Sequence, residues 1–172
     1  TLHRMTGRAD AGCIVDREAV AIGPADTAGE VMDRMVPAAV AVLLRRIDAL
    51  KAGNAPCTPQ DEAAATLFGG RRPEDGRIDW ALPARDVVNL VRAVAPPFPG
   101  AFSECGGRRL MVWRARETAG SGPPGAVLGL DPVVVAAGEK AVELRAFEFA
   151  AAPGGGPAPV LFDHIRRFFR DH

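Results

Sequence analysis

Residues 68–80 read Phe68-Gly69-Gly70-Arg71-Arg72-Pro73-Glu74-Asp75-Gly76-Arg77-Ile78-Asp79-Trp80. They lie in a polar connection, residues 54–79, whose apolar anchors are few: Leu67, Phe68 and Ile78. A connection this long with its own sequence character is more often functional or a domain junction than passive. The chain on its two sides differs in pattern. Upstream the strongest signal is a long helix; downstream, after one more helix, the pattern changes to short strands.

Upstream, Cys13-Ile14-Val15 and Ala19-Val20-Ala21-Ile22 read as short strands. Thr6-Gly7-Arg8-Ala9-Asp10-Ala11, rich in small and turn-prone residues, reads as a loop. The helix follows. Thr27-x-x-Glu30 fits a capping box, and Val31, Met35, Ala39, Val42, Leu43, Ile47 and Leu50 recur at helical spacing. Gly53 ends it, with Arg45, Arg46 and Lys51 near a C-terminus that favours cations. Pro37 is placed to kink it.

Downstream, a second helix starts near Pro83, a good first-turn residue, and carries Val87, Val88, Leu90, Val91 and Val94 until Pro96-Pro97 stops it. Strands are expected from Ala101 onward: Arg109–Arg116, Ala126–Leu130, Val133–Ala137 and Ala141–Phe149, separated by Gly and Pro turns. Strands at this spacing suggest a small barrel or sandwich. Ala151–Pro159 is a Gly/Pro linker, and Val160–Arg170 reads as a short amphipathic helix.

Composition narrows the function classes. The chain has 172 residues with 21 basic and 21 acidic side chains, so its formal net charge is zero. That weakens a nucleic-acid reading, which needs an excess of Lys and Arg on one face. The longest apolar stretch, Val36–Leu44, is too short to span a bilayer and contains Pro37, and no secretory signal is evident. Three cysteines, Cys13, Cys57 and Cys105, are scattered and odd in number. No pair has metal-ligand spacing, so no metal site is expected. A disulfide framework is not expected either, and a reducing cytoplasm is the plain reading.

Three segments resemble one family. Thr1-Leu2-His3-Arg4-Met5 with Arg8-Ala9-Asp10-Ala11-Gly12 looks like the end of the catalytic domain of 10-formyltetrahydrofolate-dependent formyltransferases. Residues 68–80 look like the junction to their C-terminal domain. Val91-Arg92-Ala93-Val94-Ala95-Pro96-Pro97-Phe98-Pro99-Gly100-Ala101-Phe102 looks like the helix and turn that open that domain. The nearest branch formylates UDP-4-amino-4-deoxy-L-arabinose in lipid A modification, and so in polymyxin resistance; methionyl-tRNA formyltransferases are more distant.

The resemblance implies an α/β + β fold: the last third of a doubly wound formyltransferase domain (1–73), a small OB-like β-barrel (74–152), then a linker and C-terminal helix (153–172). It implies formyl transfer from 10-formyltetrahydrofolate to the amine of a UDP-amino sugar, as part of a longer enzyme. The family's catalytic Asp falls on Asp10. Its Asn and His belong to an Asn-x-His segment ahead of a Ser-Leu-Leu-Pro stretch, and neither stretch occurs in this chain, whose histidines are His3, His164 and His172. The chain by itself is therefore expected to be inactive, with a missing N-terminal catalytic segment as its natural partner. A methionyl-tRNA formyltransferase fragment and a non-catalytic binding remnant are the alternatives.

Each candidate has a plainer reading beside it. Asp10 is the catalytic candidate, or a solvated turn residue. Thr6, Gly7, Arg8, Ala9 and Asp10 match the folate-lining loop of the family, or form an ordinary turn. Arg71 and Arg72 carry guanidinium forks suited to a diphosphate of the substrate, or are solvated loop arginines. His3 reads as a packing histidine. Without the central strands of a doubly wound sheet, the Val31/Met35/Val42 face of the long helix is expected to be exposed and to favour self-association.

Overall fold

The computed structural model describes residues 1–150; the linker and C-terminal helix expected over 153–172 lie outside the described residues. The chain divides into two compact units, Thr1–Gly70 and a second beginning at Arg71.

In the first unit, β1 (Leu2–His3) pairs antiparallel with β2 (Ile14–Asp16). Ile14 also exchanges backbone hydrogen bonds with Thr58, 2.8 and 2.9 Å. The helix α1 (Ala28–Lys51) starts as its sequence dictates. The Thr27 N–H donates to Glu30 Oε2 at 2.7 Å, and the Glu30 N–H reaches back to Thr27 Oγ1 at 3.4 Å. The helix runs through Pro37 and is followed by Gly53 in the left-handed region, φ 73°. Its C-terminal half is tied to β2 by charge: Arg45 Nε and Arg46 Nε donate to Asp16 Oδ2 at 2.9 and 2.7 Å. These bonds, Arg45's first, hold the Asp16 carboxyl far below the ordinary carboxylate range. The buried apolar set of this unit is small: Ile14, Val15, Val42 and Ala55.

Three expectations are corrected here. Ala19–Ile22 forms no strand; Ile22 is 65% exposed, and among the described residues no neighbouring strand pairs its backbone. Cys13 and Cys57 are joined by a disulfide, with Cα atoms 5.1 Å apart. The Ile14–Thr58 bridge brings them together across 44 residues of sequence, a proximity that spacing does not reveal. The expected exposure of the Val31/Met35/Val42 face of α1 is met only in part. Val42 is buried and Val31 half-buried, while Met32, Met35, Val36, Val40, Leu43 and Leu44 are exposed. Val31, Met35 and Val42 line a groove of about 280 Å³ with Leu2, Val20 and Ile22.

In the second unit, α2 (Ala84–Ala93) begins after Pro83 and lies on a five-stranded antiparallel sheet. The strands are β3 (Ala101–Cys105), β4 (Arg108–Thr118), β5 (Val127–Leu130), β6 (Val133–Ala136) and β7 (Ala141–Phe149), in spatial order β3-β4-β7-β6-β5. Val87 and Val91 of α2 meet Val112 and Val142 of the sheet in one core, all four nearly inaccessible to solvent. The free edge of β3 is met by a single parallel bridge from Arg77, with the Ile78 N–H donating to Phe102 O at 2.8 Å. Among the described residues no ladder joins β5 to β3, so the expected barrel is realised as an open-ladder antiparallel sheet with a helix against it. Glu143, buried on β7, accepts from Arg116 at 2.6 Å and pairs with Arg145 at 3.0 Å. Gly100, at φ 90°, lies against the Trp113 ring, where a side chain would collide.

Candidate functional site

The loop between β1 and β2 carries the candidate acid. It leaves β1 at Arg4, whose N–H donates to Cys13 O at 3.0 Å as the chain returns. Gly12 is buried where a Cβ would overlap the Arg4 carbonyl, so the loop closes only with glycine there. At its tip Asp10 adopts φ 53°, a left-handed conformation that Asp tolerates better than most residues. Its carboxylate is 95% exposed, and His3 Nε2 stands 3.6 Å from Asp10 Oδ1. His3 Nδ1 is 3.0 Å from Arg4 O, so with Nδ1 carrying the proton Nε2 is left facing the acid.

The loop is fastened from outside by residues 60–62. The Gln60 side-chain amide donates to the carbonyls of Asp10 and Gly12 at 2.5 and 2.7 Å. Arg8 pairs with Glu62, and Thr6 Oγ1 donates to Arg8 O at 2.9 Å. Arg8, Ala9 and Asp10 line an open cavity of about 800 Å³ together with Arg17, Gln60 and Glu62. Thr6 and Gly7, also expected to line the folate site, are not part of this lining. A Cβ at Gly7 would meet nothing within 4 Å.

Sequence reading missed Gln60, Glu62 and the facing position of His3. Gln60 and Glu62 lie 48 to 54 residues from their loop partners, and no motif links them. Arg71 and Arg72 belong to the second unit. They line a separate cavity of about 460 Å³ with Gly76, Val94, Phe98 and Pro99. Their guanidinium groups have no partner among the described residues; the Arg72 N–H donates to Asp75 Oδ2 at 2.7 Å and so anchors the backbone. The described residues contain no group of three His, Cys, Asp or Glu side chains placed to hold a metal. No helix among them is long and apolar enough to cross a membrane.

Several solved structures share this fold. HypX from Aquifex aeolicus, solved in complex with tetrahydrofolic acid, matches 84% of this chain and 26% of its own at 24% identity, TM-score 0.65. An N-formyltransferase from Helicobacter canadensis, solved with folinic acid and dTDP-3-aminofucose, matches 83% of this chain and 53% of its own at 13% identity, TM-score 0.65. Methionyl-tRNA formyltransferase from Clostridium thermocellum matches 67% of this chain and 49% of its own at 21% identity, TM-score 0.52. The chain thus spans between a quarter and about half the length of these proteins. Residues 71–153, the unit built on α2 and the antiparallel sheet, match the formyl transferase C-terminal domain family.

Proposed function

We propose that this chain is the C-terminal part of a folate-dependent formyltransferase that acts on the amine of a nucleotide-linked amino sugar. The observation that carries the reading is the match of residues 71–153 to the formyl transferase C-terminal domain, preceded in the same chain by the Asp10 loop and its cavity. Solved structures of the same fold in complex with a folate, one of them also with a nucleotide sugar, support it. In this reading residues 1–73 are the last third of a doubly wound catalytic domain in the cytoplasm, and the antiparallel sheet with its helix is the C-terminal domain. 10-Formyltetrahydrofolate is the co-substrate, met by residues 6–10. UDP-4-amino-4-deoxy-L-arabinose, on the route to modified lipid A, is the acceptor.

The amine nitrogen attacks the formyl carbon, and the folate N10 leaves with a proton. The groups that stabilise the oxyanion and take the amine proton come from an upstream segment. Asp10 orients and charges that base from its fixed, solvent-facing position. Arg71 and Arg72 are the cations for the diphosphate.

The test joins this chain to the sequence encoded ahead of it. The longer protein is incubated with 10-formyltetrahydrofolate and the UDP-amino sugar, and the sugar is followed by mass spectrometry. A gain of one formyl group is expected. Asp10→Asn should lower kcat by about a hundredfold, while Arg71→Ala should chiefly raise KM for the sugar. Formylation of methionyl-tRNA in place of the sugar would sink the acceptor assignment, and no transfer to either would sink the enzyme reading.

A further inference from the structure

The Asp10 loop is held by residues that are themselves thinly anchored. Over residues 54–70 only Ala55 is buried and Gln60 half-buried; Leu67 and Phe68 are 97% and 92% exposed. This segment has almost no core to hold it in place. It meets β2 through the two backbone hydrogen bonds between Ile14 and Thr58, each modest in water. One residue before each of these partners lies a cysteine of the Cys13–Cys57 disulfide. Two residues beyond Thr58 comes Gln60, whose amide holds the Asp10 and Gly12 carbonyls, followed by Glu62, which pairs with Arg8. The covalent bond, the bridge and the loop clamp therefore lie in series.

We infer that the Cys13–Cys57 disulfide is a redox latch on the Asp10 loop, with Gln60 as the residue through which it acts. With the bond formed, Gln60 is delivered to the two loop carbonyls. With the bond reduced, only the Ile14–Thr58 hydrogen bonds and the Gln60 and Glu62 contacts, all non-covalent, hold the segment on the loop, and these open together. The couple needs only a small-molecule disulfide, RSSR, as oxidant. The Cys57 thiolate attacks RSSR and expels RS⁻; the Cys13 thiolate then attacks the mixed disulfide at Cys57 and expels a second RS⁻. Two protein thiols become one disulfide, RSSR becomes two RSH, and protons balance. The reverse begins at Cys57, the exposed partner; Cys13 is half-buried. The third cysteine, Cys105, lies in the other unit, and burial pushes its thiol pKa up, away from the reactive thiolate.

This latch rests on the proposed function only for its consequence, altered folate binding; its effect on the loop stands on geometry. The test is amide hydrogen exchange on the full chain, equilibrated with either glutathione disulfide or dithiothreitol. Reduction is expected to speed exchange of the residue 8–14 and 57–62 amides by about tenfold or more while α1 amides keep their protection. Gln60→Ala in the oxidised protein should loosen residues 9–12 and leave Thr58 protected. Equal protection in both redox states would overturn the inference. So would three free thiols persisting in glutathione disulfide, or loss of α1 protection together with the loop, which would make the bond a general staple. Loosening of the loop with unchanged folate affinity would uphold the latch and count against the folate role of the loop.

Discussion

The unit ending at Gly70 and the unit beginning at Arg71 are held together by different physics. In the second, α2 and the sheet share one apolar core, with Val87, Val91, Val112 and Val142 almost wholly removed from water. In the first, buried apolar side chains are few, and six large apolar residues of α1 face solvent. Its cohesion comes instead from a disulfide, a capping box and the Asp16–Arg45–Arg46 cluster. A sheet with a helix packed on it closes its own core, whereas two short strands and one long helix do not. The apolar residues of α1 therefore form an exposed stripe on this unit.

Four experiments can break or sharpen this contrast, read as denaturant transitions of the two units by amide exchange. The largest effect is expected from reducing Cys13–Cys57. The bond spans 44 residues of chain, and the loss should fall on the residue 8–14 and 57–62 amides of the first unit, with α1 and the second unit keeping their protection. Equal loss in the second unit would show that the two unfold together. Next, Val142→Ala should cost the second unit about 2–3 kcal/mol through lost burial and the cavity left behind. A cost under half of that would mean the sheet core relaxes around the gap.

Removing the helix cap with Thr27→Ala should cost the first unit about 1 kcal/mol. Little or no change would leave α1 independent of its capping box. The smallest effect concerns acid. The Asp16 carboxyl is held below its ordinary value of 3.8 by Arg45, then Arg46 and the Arg17 N–H, and Asp26 is lowered by the Gly23 N–H and then Arg34. A depressed carboxylate contributes stability that is full above pH 3.8 and is lost as pH falls through the folded value. The first unit should therefore weaken on acidification below that point, and Asp16→Asn should flatten the response. Much of this effect is screened, because Arg45 is 44% exposed.

Local signals in the chain carried a good part of the fold. Thr27 and Glu30 mark the start of α1, Gly53 its end, and Pro83 and Pro96-Pro97 bracket α2, because caps and prolines act within a few residues. Alternating apolar residues located β4, because a strand with one buried face repeats every two residues, and β5 to β7 were located as apolar segments between Gly and Pro turns. Ala19–Ile22 misled because its composition suits a strand but offers no partner.

At the candidate site, sequence alone marked Asp10, the small residues around it and the paired Arg71 and Arg72. Only the tertiary structure brought Gln60 and Glu62 onto the Asp10 loop, set His3 opposite its carboxylate and joined Cys13 to Cys57. It also decided which apolar face of α1 is left open and that the sheet ladder does not close. These features depend on where two stretches some fifty residues apart cross in space. Helix caps, turns and strand alternation are enforced by neighbours along the chain, and so they alone could be read from its order.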